Sequence, residues 1–135
     1  MPVTPNSIVT PQTPRSAMVG VAAANTTFTT APTNTALLLT AGANGARVTR
    51  LQAMPLETVT ANALQVYRSV DAGTTKFLAA AATGGADTVS GIDGPQVVDF
   101  GVSDDAPMIL QASERLYVAT GIAKAYNFIA EYADY

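Results

Sequence analysis

The carboxylates of this sequence crowd into its second half, where Asp87, Asp93, Asp99, Asp104 and Asp105 are followed closely by Glu114. Calcium takes converging oxygens of this kind, and the glycines among them would permit the sharp turns that gather ligands. The spacing fits no calcium loop, however, which wants acidic or amide ligands at alternate positions and a closing glutamate. The same residues also cap turns and keep loop tips solvated, and the spacing favours that role. Hydrolysis by paired carboxylates is the other chemistry open to them. A glycosidase needs two acids about 5–10 Å apart on a cleft wall, usually beside aromatic platforms, and the chain has no tryptophan. Tyr67, Tyr117, Tyr126, Tyr132 and Tyr135 are the remaining stacking candidates, but tyrosine on a strand more often packs with its hydroxyl at the rim.

Other chemistries are closed more firmly. There is no histidine, the usual general base near neutral pH and the commonest metal ligand, and no cysteine to serve as nucleophile, zinc ligand or disulfide. Gly84-Gly85 is not followed by the Lys-Ser or Lys-Thr of a phosphate loop. No catalytic constellation, cofactor site or metal site is expected, and the chain reads as a non-enzyme. Seven basic and ten acidic residues leave a net charge of −3. Arg15, Arg47, Arg50, Arg68, Lys76, Arg115 and Lys124 stand singly, without the basic stripe that displaces counterions from nucleic acid. No apolar run approaches the roughly 20 residues of a spanning helix, so neither nucleic acid nor membrane is an expected partner.

The elements that must position these residues read as strands. At 135 residues the chain suits one domain. Strand patterns recur at 16–24 (SAMVGVAAA), 35–40 (TALLLT), 47–54 (RVTRLQAM), 62–70 (NALQVYRSV), 74–82 (TTKFLAAAA), 97–101, 108–111, 115–120 and 125–133. Asn44-Gly45 between apolar runs predicts a hairpin, and Asp71-Ala72-Gly73 predicts a short reversal with Gly73 left-handed. The alanines of 79–82 also admit a helical turn. Within 62–70, Leu64, Val66 and Arg68 share one face, and Gln65, Tyr67 and Ser69 the other. Residues 83–93 form a long connection between sheets. Eight or nine strands at about 8–12-residue spacing predict an all-β antiparallel sandwich, the body being 16–135.

Residues 1–15 differ. Pro2, Pro5, Pro11 and Pro14 exclude a helix or a central strand, and the basic n-region and apolar run of a secretory signal are missing. An uncharged stretch so poor in bulky groups does not bury enough to order alone. In a polyproline-like path its first fourteen residues span roughly 43 Å, against a body about 36 Å across. The expectation is an extended arm that binds a neighbouring subunit, with Pro5, Ile8, Val9, Pro11, Pro14 and Arg15 as contact residues. Its prolines limit strand addition to short stretches such as residues 6–10.

Three stretches, 37–54 (LLLTAGANGARVTRLQAM), 64–78 (LQVYRSVDAGTTKFL) and 107–135 (PMILQASERLYVATGIAKAYNFIAEYADY), resemble small β-sandwich virion proteins of tailed bacteriophages. The resemblance lies in an apolar strand entering an Asn-Gly turn, an aromatic- and arginine-bearing strand entering an Asp-Gly reversal, and a closing strand pair with an aspartate-aromatic tail. It implies a jelly roll acting as a capsid cement or decoration protein on the outer capsid surface. It further implies a homo-oligomer, trimer favoured, whose partner is the major capsid protein or another virion subunit. The alternative is a carbohydrate-binding sandwich of an adhesin, head fibre or tail, which predicts a shallow cleft where two tyrosines and an aspartate converge.

Overall fold

The computed structural model describes residues 10–135. Among them every regular element is a strand: β1 (Thr13–Val21), β2 (Ala36–Thr40), β3 (Ala46–Pro55), β4 (Asn62–Ser69), β5 (Phe77–Gly84), β6 (Val98–Asp99), β7 (Met108–Leu110), β8 (Arg115–Ala119) and β9 (Tyr126–Asp134). One sheet runs β1-β9-β3-β6, with β7 also pairing β3; the other runs β2-β8-β4-β5. Every strand pairing is antiparallel. The all-β sandwich expected from strand spacing is the fold observed.

Alternation builds the interior. On β3, Ala46, Val48, Leu51 and Ala53 point inward, and a bulge between Val48 and Arg50 restores the phase that two successive polar residues would otherwise break. Leu64 and Val66 of β4, Leu116 and Val118 of β8, and Tyr126, Phe128 and Ala130 of β9 complete a core between the sheets. Each large side chain fully buried there contributes about 1.5–3 kcal/mol, which makes this layer the main cohesive force. Phe100, just past β6, tilts against Phe128 with ring centroids 6.1 Å apart and closes one side of the core.

Three expectations need correction. The turn at Asn44-Gly45 is tight, with Gly45 N–H donating to Gly42 O at 3.0 Å and Gly45 at φ 90°, yet it makes no hairpin. Its leading flank stays with β8, through Ala41 N–H to Glu114 O at 2.8 Å, and its trailing flank leaves to pair β9. A turn fixes a reversal of the backbone; which sheet each flank joins is decided by its apolar face, and here the chain crosses between sheets. Glycine is required at position 45, since a Cβ there would lie 2.4 Å from Leu110 O.

The second correction concerns β1, which begins at Thr13 rather than Ser16 and so takes in Pro14 and Arg15. Proline is tolerated because β1 is an edge strand. Third, residues 79–82 are strand throughout, without the helical turn their alanines admit. The Asp71-Ala72-Gly73 reversal does join the paired strands β4 and β5 with Gly73 at φ 92°, and residues 85–97 carry the chain from one sheet to the other.

Candidate functional site: sheet faces and free edges

The outward residues of the four-stranded sheet are not in water. Gln65 and Tyr67 point away from the core, as their alternation predicts, but they are 1% and 0% exposed. The segment between β1 and β2 lies over them. Ala24 bridges Thr120, Asn25 N–H donates to Thr120 O at 2.8 Å, and Lys76 N–H donates to Thr30 O at 2.9 Å, which fastens the segment just past the end of β8 and just before the start of β5. Asn25 is the key residue of this cover. Its Nδ2 donates to Gln65 Oε1 (2.7 Å) and Thr27 O (2.8 Å), and its carbonyl accepts from Gln65 Nε2 (2.9 Å). Its Oδ1 takes the Thr33 N–H at 3.2 Å, and the Tyr67 hydroxyl donates to Gln65 Oε1 at 2.7 Å. Among the described residues no buried side-chain nitrogen or oxygen lacks a partner, so the cover does not incur the penalty of an orphaned polar group. Burial pushes the Tyr67 hydroxyl above its ordinary value, with the Asn25 hydrogen bond offsetting part of the rise.

The opposite outer face is open. Across β9, β3 and β6, Arg50 Nη1 donates to Glu131 Oε1 (2.9 Å), Arg50 Nη2 to Gln52 Oε1 (2.8 Å), and Gln52 Nε2 to Asp99 Oδ2 (3.2 Å). Beside this polar row, Met18 is 71% exposed, and its register partner Ile129 sits next to it.

At one end of the sandwich, Arg68 of β4 grips Glu114 with two prongs, Nε to Oε2 and Nη2 to Oε1, and donates to Ile109 O of β7 at 2.6 Å. The fork therefore ties the two sheets together. Burial pushes the Glu114 carboxyl up. The Arg68 hydrogen bonds, the Gln111 N–H and the guanidinium charge outweigh that, leaving it below its ordinary value.

The acidic residues do not converge. Asp87 Oδ2 accepts from Gln96 N–H (2.8 Å), Asp99 Oδ1 from Gly101 N–H (2.7 Å) and Asp71 Oδ1 from Thr75 N–H (2.8 Å), which are turn-capping contacts. Among the described residues, no three potential metal ligands gather. A hollow of about 500 Å³ lies where β5 and β6, edge strands of the two sheets, face each other. Its walls include Ala82, Thr83, Asp87, Val97, Asp99 and Tyr126. Tyr126 is the one tyrosine there, and it is buried with its hydroxyl accepting from Asn62 Nδ2 at 2.9 Å. The paired tyrosines that the carbohydrate reading predicts are not brought together at this hollow.

Of the expected arm contacts, Pro5, Ile8 and Val9 lie outside the described residues. Pro11 is half-buried, Pro14 pairs with Ala133, and Arg15 is turned back on its own fold, its Nε donating to Asp134 Oδ2 at 2.6 Å. The docked chain starts at Gln12, whose N–H donates to Asp134 O at 2.7 Å. Sequence reasoning missed Asn25 and the cover it fastens. The signal available was the unbroken polar run Asn25-Thr26-Thr27, placed where a chain must pass from one sheet to the other.

Two packed antiparallel sheets with these crossovers define a jelly-roll β-sandwich. Among solved structures, the chain is similar to Eiger TNF from S. frugiperda, with a TM-score of 0.51 and 13% identity over 93% of this chain and 96% of that one. At such low identity the likeness is one of fold. No protein-family model matches the chain, and neither does the sequence of any curated protein.

Proposed function

We propose that the protein is a non-enzymatic virion structural protein, a capsid cement or decoration subunit of a tailed phage. It acts as a homo-oligomer, trimer favoured, on the outer surface of the head. The observation that carries this reading is the placement of exposed large apolar side chains. Met18, Leu37 and Leu78 (71%, 44% and 42% exposed) stand on sheet faces and edge strands rather than in a cleft. Leu37 and Leu78 end a register row across the four-stranded sheet, with Tyr117 and the covered Tyr67 between them. Surfaces of this kind adhere; they do not hold a small substrate. Modest contacts repeated by symmetry add up, and an arm raises the effective concentration of each. The resemblance to phage virion sandwiches supplies the setting.

The test is deletion of residues 1–11, which stops short of the first hydrogen bond of the fold at Gln12. The shortened protein should keep the far-ultraviolet circular dichroism and melting temperature of the full chain and lose capsid occupancy. Unchanged occupancy and unchanged particle heat stability would sink the reading.

A further inference from the structure

Of the strands with a free edge, β5 is the longest that carries neither charge nor proline. It reads FLAAAATG and, among the described residues, pairs with β4 on one side only. Native sheets blunt such edges with lysine, proline or bulges, because unpaired backbone groups recruit another strand. The edge of β1 has Pro14 and Arg15; β5 has neither proline nor charge, and its one bulge, at Ala79, leaves the stretch from Ala80 to Gly84 in regular register with β4. Ala79, Ala81 and Thr83 are exposed, and the hollow of about 500 Å³ opens along the far half of this same edge. A strand laid beside β5 would satisfy its outward backbone groups and place alternate side chains against Ala82, Val97 and Val98.

We propose that residues 6–10 (NSIVT) of one copy add as an extra strand to the free edge of β5 in a second copy. This deepens the assembly reading above and rests on it. The occupant follows from what the chain has left over. Residues 6–10 are the proline-free stretch between Pro5 and Pro11. They bring no carboxylate toward Asp87 and Asp99, and Ile8, Val9 and Thr10 are β-branched. Geometry requires that the acceptor be another molecule. β1 enters at its Thr13 end beside Asp134, whereas the hollow lies by Tyr126, which pairs Val21 at the other end. β1 packs over β2, at the lateral side away from β5. Three interstrand steps, one sheet separation and the length of β1 together put the hollow about 31 Å from that entry point. From Gln12 back to Ile8 the chain extends about 14 Å at most. The segment cannot reach the hollow along its own β5.

Because the chain contains no cysteine, a disulfide can report the contact. Full-length Ile8→Cys and Thr83→Cys proteins are mixed and mildly oxidised. A mixed dimer should form at least tenfold faster than when Ile8→Cys is mixed with Arg50→Cys, which puts the thiol on the opposite sheet face. Comparable rates for the two mixtures would overturn the proposal. So would a Thr83→Cys homodimer formed as readily as the mixed one, the signature of β5-to-β5 pairing, or intramolecular closure in the dilute double variant. Ile8→Pro, which leaves the described fold untouched, should shift light-scattering mass toward the 13.8 kDa monomer; retention of the full-length mass would also overturn it. If the disulfide fails while the 1–11 deletion still empties capsids, this inference falls and the virion reading stands. If the disulfide forms and capsid occupancy ignores the deletion, the reverse holds.

Discussion

The two outer faces of this sandwich obey the same alternation and meet opposite fates. Gln65 and Tyr67 on one sheet and Arg50 and Gln52 on the other all point away from the core. The first pair is sealed beneath the β1–β2 connection, while the second lies in a solvated row from Glu131 to Asp99. The difference shows that direction and burial are separate properties. Strand phase sets direction; a crossing segment sets burial. It also separates two kinds of polar network. Beneath the cover, a lost hydrogen bond strands a partner away from water, whereas on the open face water replaces it.

The contrast can be broken most forcefully at Tyr67. Removing a fully buried ring and its hydroxyl, Tyr67→Ala should cost about 4 kcal/mol, read as a lower urea midpoint. Amide exchange at Asn25 and Thr33 should accelerate in the same variant. A loss below about 1 kcal/mol would mean that the cover is fastened elsewhere.

A second, smaller handle is pH. Burial raises the Tyr67 hydroxyl in the folded state, so the folded protein resists its ionisation. That contribution to stability is complete below the unfolded value of about 10 and is lost as pH climbs through the higher folded value. The alkaline fall in stability should be shallower in Tyr67→Phe than in the parent; identical slopes would place the titration on other tyrosines.

The smallest effect belongs to the open face. Arg50 and Glu131 are each about half exposed, and Arg50→Ala should change stability by no more than about 0.5 kcal/mol in the same urea titration. A larger loss would make the two faces energetically alike.

Much of the fold was legible in the residues. Alternation along 62–70 placed Leu64 and Val66 inward, and Asp71-Ala72-Gly73 marked a true hairpin, because there both flanks serve one sheet. The same reasoning stumbled at Asn44-Gly45, since local chemistry specifies a reversal and is silent on partners. β1 extends to Thr13 because Arg15 finds Asp134 at the far end of the sequence, a contact no local pattern contains. The cover escaped notice for a related reason. Asn25 matters through Gln65 and Tyr67, which lie 40 and 42 positions away, and in the linear sequence it is one more polar residue in a threonine-rich stretch.

The manner in which β1 is fastened bears on traction. Tension on the residues before Gln12 would draw on β1 at its Thr13 end, along the strand axis, against an antiparallel partner in register from Thr13↔Asp134 to Val21↔Tyr126. Loaded in that direction the ladder is sheared, so its hydrogen bonds share the load rather than parting one at a time. Asp134 receives the pull first, and it is moored both to Arg15 and to the Gly42 N–H at 3.0 Å. The sandwich is thus doubly moored at the point where the chain enters β1.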